Sequence, residues 1–351
     1  MKNSLLVTSN SLNSGIGIYA WDLYKLGILE NFKYIAIDTV QSHFPEKYVF
    51  KLNSILNKWV INSNYVFYFG GNLKEYVKKF DLIHLSDLSL FFIVKYNKNA
   101  VGTLHDLFSL NRKDEKFLWY LWNKKNLKFI NKLKGLVVIS DYIKKNVEEK
   151  FKDLTITRIH QWVGNEFMPR NKINSREKIF KSSDFNNKVI LLNISTDAPR
   201  KNIDILTEII NNLDERFVLY RVGNSERIIN KFKNKKQFIY ENYVSHEIYP
   251  YLFNMADFYL HPSLNEGFGR PLIESIRSGL PVIASNVEIS REVLSDKGIY
   301  ADPYNVEEWV ELILKNLDKK DQLTERILEL SGYYSEERAR REYEKFYSSL
   351  I

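Results

Sequence analysis

Two carboxylates, an adjacent pair of cations, two glycine loops and a histidine carry the chemistry this sequence offers. Glu266 and Glu274 bound the stretch Glu266-Gly-Phe-Gly-Arg-Pro-Leu-Ile-Glu274, eight residues apart. Even if that stretch were wholly helical, the separation would be roughly 12 Å along the axis. A glycoside hydrolase holds its carboxyl pair about 5 to 9.5 Å apart across one bond, so this pair suits two parts of an extended ligand, with neighbouring sugar hydroxyls as partners. Gly267 and Gly269 bracket Phe268 and leave a loop whose backbone a ligand can approach closely. Pro271 then opens a helix, and a helix N-terminus offers free N–H groups and a positive dipole end to a phosphate. Arg200 and Lys201 follow the apolar run Val189–Ile194. Adjacent cations at a strand exit suit a diphosphate, and the plain alternative is a solvated basic turn. Gly15-Ile16-Gly17 repeats the strand, loop and helix order after Ser4–Thr8, although such a loop can equally be a tight turn. His105 closes the apolar run Ala100–Leu104, where ligands of open parallel sheets collect beyond the strands' carboxyl ends; the plain alternative is a satisfied polar residue.

Apolar runs place these groups. Ala256–Leu260 reads as a strand ending at Pro262-Ser263, Leu272, Ile273, Ile276 and Leu280 give the apolar stripe of the next helix, Gly279 stops it, and Pro281–Ser285 reads as a parallel strand. Further strands are expected over residues 33–40, 65–69, 81–85, 135–140, 217–223 and 238–240. His84, inside one of them, reads as structural. Strands alternating with helices along both halves predict an α/β protein.

At 351 residues the chain exceeds one ordinary hydrophobic core, so two domains are expected. It has no cysteine, which excludes disulfides and thiolate metal sites and fits a reducing compartment. Residues 1–20 lack a signal-peptide pattern, and no apolar run approaches the roughly 18 residues of a membrane span. A cytoplasmic protein is therefore expected. The net charge of +8 is uneven: residues 1–165 carry roughly ten more basic than acidic groups, and the remainder about two fewer. Residues 111–134 interleave Phe117, Trp119, Tyr120, Trp122, Leu127, Phe129 and Ile130 with Arg112, Lys113, Lys116, Lys124, Lys125, Lys128, Lys132 and Lys134. That pattern suits a basic amphipathic helix on an anionic membrane surface, or an outer helix with its aromatics in the core. There is no D-x-D motif and there are only six histidines, so no metal or other cofactor is expected.

Glu266–Glu274 resembles the E-x7-E signature of the retaining, nucleotide-sugar-dependent GT-B glycosyltransferases. The likeness extends over nearly the whole chain: Ser14-Gly-Ile-Gly17, Asp81-Leu-Ile-His84, the strand ending at His105, Val137-Val-Ile-Ser140, Pro199-Arg-Lys-Asn202, Asn242-Tyr-Val-Ser245 and Arg291-Glu-Val293. His160-Gln-Trp-Val-Gly-Asn165 stands where many relatives carry N-G-V-D, and Ser195 where many carry an additional Arg. The resemblance implies two Rossmann-like α/β/α domains facing across a cleft, an acceptor-side domain over 1–165 with helix 336–351 packed back on it, and a donor domain over 166–335. It further implies a metal-independent, retaining transfer of a hexose-type sugar from a UDP- or GDP-sugar to a glycan or lipid-linked acceptor. In that picture Glu274 holds the ribose and Glu266 with the Gly267-Phe268-Gly269 backbone holds the sugar. Lys201 and Arg200 meet the diphosphate, Gly15, Ile16 and Gly17 close over it, Val244 lies in the base-reading loop, and His105 faces the sugar. The alternatives are another nucleotide-sugar enzyme of the same fold, such as an epimerase, or a nucleic-acid-binding protein using the basic half. The latter leaves the glycine loops and the Glu pair unexplained, so no nucleic-acid partner is expected.

Overall fold

The computed structural model describes all residues except 1–2, 13, 30, 38–44, 53–57, 63–64, 69–70, 111–116, 152–153, 182, 224–228, 231–236 and 351, and only the backbone of 58–62, 65–68 and 109. The chain forms two compact units, Met1–Gln161 with Glu337–Ile351, and Trp162–Glu336.

The first unit runs β1 (Ser4–Thr8), α1 (Gly15–Lys25), β2 (Phe32–Ile37), β3 (Val49–Phe50), β4 (Lys58–Asn62), β5 (Tyr65–Tyr68), α2 (Asn72–Val77), β6 (Leu82–Leu85), β7 (Ala100–Leu104), α3 (Phe117–Leu127), β8 (Gly135–Val138), α4 (Asp141–Glu148) and β9 (Ile156–Arg158). Its parallel sheet has the order β3-β2-β1-β6-β7-β8-β9. Strands buried on both faces need continuous apolar runs, and Leu5, Leu6 and Val7 or Leu82 and Ile83 supply them. The strand expected over 33–40 is β2 as far as Ile37, and 38–40 lie outside the described residues. The one expected over 65–69 is β5, which pairs antiparallel with β4 apart from the main sheet.

The second unit runs α5 (Lys172–Phe180), β10 (Val189–Ile194), α6 (Asp204–Asn211), β11 (Phe217–Val222), β12 (Phe238–Glu241), α7 (Tyr249–Met255), β13 (Phe258–His261), α8 (Arg270–Ser278), β14 (Val282–Ser285), α9 (Glu288–Leu294), β15 (Ile299–Ala301), α10 (Val306–Lys315) and α11 (Lys320–Leu328). All of its strands are parallel, in the order β12-β11-β10-β13-β14-β15. The boundary falls four residues earlier than the expected 165/166 because residues 162–167 are held by the second unit. Val163 N–H donates to the Tyr334 carbonyl (3.3 Å), and the Phe167 ring meets those of Tyr249 and Phe253 edge-on.

Helix α12 (Glu336–Ser348) returns to the first unit. It buries Tyr343, Phe346 and Tyr347, and Gly135 at the start of β8 leaves room for Phe346, which a Cβ there would approach to 3.2 Å. Polar groups in this seam are paired. His84 Nδ1 meets the Tyr347 hydroxyl at 2.7 Å and Nε2 meets Thr103 Oγ1 at 2.7 Å, while the Tyr19 hydroxyl bonds Thr103 (2.9 Å) and Tyr343. Burial drives the His84 pKa down to about 3, so the ring is neutral and structural.

Candidate functional site

In each sheet the strand order reverses at one point, between β1 and β6 and between β10 and β13. Loops leaving such neighbours diverge and open a crevice at the carboxyl edge. The chemistry-bearing residues gather at both points.

In the second unit, β10 leads to the turn Pro199–Lys201 and β13 leads to Glu266. The two loops are joined where Leu264 N–H donates to the Arg200 carbonyl at 2.7 Å. Glu266 is buried, and its Oε1 receives Lys201 Nζ and the Ser263 hydroxyl (2.9 Å) while its Oε2 receives Arg200 Nη1 (3.1 Å). Burial alone would raise this carboxyl's pKa, but the cation field of Lys201, with His261 and Arg200, overcomes it and holds the group at about 2. The sequence separates a sugar-binding Glu266 from a phosphate-binding Arg200–Lys201 pair; the structure makes one charge cluster of them. Both cations keep a net positive charge between them after pairing with the carboxylate. His261 lies 3.9 Å from Glu266, its Nε2 is buried without a hydrogen-bond partner, and burial lowers its pKa to about 4.

Helix α8 starts after Gly269, whose φ of +89° is a left-handed conformation that a side chain resists, and ends at Gly279 with φ +74°. No side chain caps its N-terminus, and Pro271 sits in its first turn. The Phe268 side chain is buried against Tyr334 (6.0 Å between ring centres), so only its backbone can serve a ligand. Glu274 lies one turn inside the helix, not at its start, and is buried. Arg270 Nε donates to its Oε1 (3.1 Å) and the Tyr249 hydroxyl to its Oε2 (2.8 Å). Val244 is half-buried in the loop after β12, two strands from β10 in the sheet, beside the exposed Tyr243.

In the first unit, a pocket of about 220 Å³ opens at the carboxyl edge, lined among others by Asn10, Asp87, Ser89, His105, Asp106 and Trp119. His105 Nε2 lies 3.0 Å from the Ser86 carbonyl, which can only accept, so Nε2 carries the proton and Nδ1 is the acceptor for Gln161 Nε2 at 3.4 Å. Its ring meets Tyr19 edge-on at 4.6 Å, and burial lowers its pKa to about 4. A neutral imidazole with an assigned tautomer suits hydrogen bonding to a hydroxyl better than carrying charge. Asp87 accepts from Ser89 N–H (2.9 Å), Asn10 Nδ2 (3.0 Å) and the Ser9 hydroxyl (3.1 Å), while burial raises its pKa.

Among the glycines expected to close over a phosphate, Gly17 serves its own loop. Its N–H donates to the capping Ser14 hydroxyl (3.0 Å), and a Cβ there would lie 2.0 Å from the Ser11 carbonyl oxygen. Gly15, in contrast, would give a Cβ no neighbour within 4 Å, and Ile16 lines the pocket. In residues 111–134, Trp122, Phe129 and Ile130 join the core, whereas Phe117, Leu118 and Leu121 are exposed in the same segment as Lys124, Lys125 and Lys128. Arg112, Lys113 and Lys116 lie outside the described residues.

Sequence reading missed Ser263, His261, Tyr249, Arg270 and Asp87. The fourfold spacing of Arg270 and Glu274 on a helix was the one available signal. It also missed a further buried carboxylate, Asp257, which pairs with Arg176 (2.7 Å), Lys320 (2.9 Å) and Lys172 (3.1 Å) and accepts from Ile190 N–H (2.7 Å).

Two parallel α/β sheets, each with polar groups gathered at its switch point, are the GT-B arrangement. The fold of Anabaena HepE, solved in complex with UDP and glucose, matches over 99% of this chain and 100% of that one with a TM-score of 0.79 at 13% identity. Residues 175–329 match the family described as glycosyl transferases group 1, and residues 35–163 match glycosyltransferase family 4. The two matched stretches together cover most of the chain, and both are those of glycosyltransferases. The chain is similar to O-antigen chain mannosyltransferase B of Escherichia coli, 42% identical over 22% of this chain and 20% of that protein. It is also similar to the O-antigen chain mannosyltransferase RfbU of Salmonella typhimurium, 34% identical over 29% of this chain and 28% of that one. The matched stretch thus spans well under half of either relative.

Proposed function

We propose that this protein moves a hexose-type sugar, mannose first among the candidates, from a UDP- or GDP-sugar to a hydroxyl of a glycan or lipid-linked acceptor. The observation that carries this reading is the Lys201–Arg200–Glu266 cluster at the switch point of the second sheet. When the bond between the anomeric carbon and the phosphate oxygen breaks, negative charge develops on the diphosphate and positive charge on the sugar. Cations fixed beforehand by Glu266 stabilise that charge without reorganising. The Gly267-Phe268-Gly269 backbone and the uncapped start of α8 offer N–H groups to the same ligand. Glu274, oriented by Arg270 and Tyr249, is a carboxylate suited to accepting from ribose hydroxyls. We assign the first unit's pocket to sugar hydroxyls, with neutral His105 as a hydrogen-bonding partner and Trp119 as an apolar wall.

The transfer is proposed to retain anomeric configuration: the acceptor oxygen bonds the anomeric carbon on the face the phosphate leaves, and the acceptor's proton passes to that phosphate. It needs no metal, because the cations of the site do the neutralising. No described helix is long and apolar enough to cross a membrane. The exposed Phe117, Leu118 and Leu121 with Lys124, Lys125 and Lys128 support peripheral docking on anionic lipid; failure to co-sediment with anionic vesicles at low salt would sink that part.

Thermal stabilisation by a panel of UDP-, GDP- and ADP-sugars tests the whole reading, since a ligand of the native state raises its melting point. One donor should stabilise, and should do so in EDTA. Stabilisation by none of them overturns the proposal, and turnover of a donor incubated alone would favour an epimerase-type reaction.

A further inference from the structure

One buried charge that the proposed chemistry leaves unused, and that lies at the sheet's carboxyl edge, is Arg221. It is the penultimate residue of β11, registered between Asn193 of β10 and Tyr240 of β12 at the sheet's carboxyl edge, and it is fully buried. Its Nη1 donates to the Gly223 carbonyl (3.0 Å) and its Nη2 to the Ser195 carbonyl (3.1 Å), while Nε is buried without a partner. Among the described residues no carboxylate forms an ion pair with it, although it feels the Asp197 charge from farther off. Burial lowers its pKa, yet a guanidinium stays charged at neutral pH. Two carbonyls and the Tyr240 ring (5.9 Å) offset only part of the cost of burying a guanidinium, and a site that brings negative charge to this edge would offset more.

Two observations bear on this. Ser195 begins the loop that carries Arg200 and Lys201, and the Gly223 backbone packs against it so closely that a Cβ would lie 2.0 Å from the Ser195 carbonyl oxygen. Arg221 clamps the two turns together from beneath. The Tyr259 hydroxyl, moreover, donates to the Ile194 carbonyl (3.1 Å), one residue before the Ser195 carbonyl that Arg221 holds, so polar side chains of β11 and β13 grip the same turn. Lys201 and Arg200 share Glu266, leaving one net positive charge, whereas a nucleoside diphosphate brings more than one negative charge.

We propose that Arg221 is a positioning cation of the donor site: it fixes the Ser195 turn beneath Arg200 and Lys201 and adds the positive charge that a diphosphate requires at this edge. The inference rests on the reading that this edge binds a nucleoside diphosphate. Calorimetry of the full chain with UDP, GDP and their parent nucleosides tests it, using Arg221→Gln, which keeps a donor but no charge, and Arg221→Lys, which keeps the charge. Arg221→Gln should weaken diphosphate binding at least tenfold and leave nucleoside binding within about twofold, while Arg221→Lys should stay within about threefold of wild type for both. Wild-type diphosphate affinity in Arg221→Gln, or equal losses for nucleoside and diphosphate, overturns the proposal while leaving the donor reading intact. If wild type itself binds neither diphosphate, the donor reading fails and this inference with it. Should Arg221→Gln not fold, Arg221→Lys decides: retained affinity supports the role of charge, and a tenfold loss refutes it.

Discussion

The two switch points sit at equivalent places in two similar sheets and are built from opposite materials. At the second unit's edge, charges face each other: Glu266 with Lys201 and Arg200, and Glu274 with Arg270. At the first unit's edge, neutral partners take the place of ion pairs: His84 and His105 are neutral, hydroxyls of Tyr19, Thr103, Tyr343 and Tyr347 complete their bonding, and the buried Asp87 accepts from Ser89, Asn10 and Ser9. One edge is equipped for a phosphate that departs with charge, the other for hydroxyls that never carry any. Local packing, and not the sheet topology, draws this distinction.

The largest expected effect tests whether charge in the second unit is also a fold-holding device. Asp257→Asn leaves Arg176, Lys172 and Lys320 without their carboxylate, and breaking a buried pair costs about 3–5 kcal/mol; denaturant unfolding should register it. Next, Lys201→Ala and Glu274→Ala should each lower turnover at least about a hundredfold, about 2.7 kcal/mol of barrier, in protein that is still folded by circular dichroism. Wild-type rates in both would erase the charged half of the contrast. Arg270→Ala releases Glu274 on one side only, so donor KM should rise about tenfold while kcat changes little.

Acidity separates the histidines from Glu266 by window, while the direction is the same for both. Unfolded histidine takes up a proton near pH 6.5, whereas folded His84 and His105 wait until about 3 and about 4. Their contribution to stability is complete above about pH 6.5 and is lost as pH falls towards those values. Glu266, folded near 2, contributes stability that is complete above roughly pH 4.3 and is lost only below it. His261 shares the histidine window in the second unit. His84→Gln should therefore flatten the melting temperature's dependence on pH between about 6.5 and 4, and an unchanged slope would remove the neutral-imidazole account. The smallest effect is expected from Tyr343→Phe, which deletes a hydroxyl pair with Tyr19 and should destabilise by about 0.5–1.5 kcal/mol.

The sheets and the residues at their edges were legible because parallel strands must be continuously apolar and because Glu266, Lys201 and His105 each follow such a run. Their mutual contacts were not. Glu266 meets Lys201 across 65 positions only because β13 lies beside β10, and strand order is a tertiary fact that local pattern does not encode. Arg221 read as one more strand residue, since alternation says nothing about where a guanidinium ends. Gly17 shows the converse error: a glycine suited to a phosphate is required by its own turn.

Helix α12 gives the first unit a discontinuous pedigree. Tyr343 and Tyr347 complete the hydroxyl network around His84 and Tyr19, yet the ribosome makes them only after all of Trp162–Glu336. A nascent chain can thus finish its second unit while the first still has an open seam, so a truncation just before Glu337 would injure the unit translated before the one it follows.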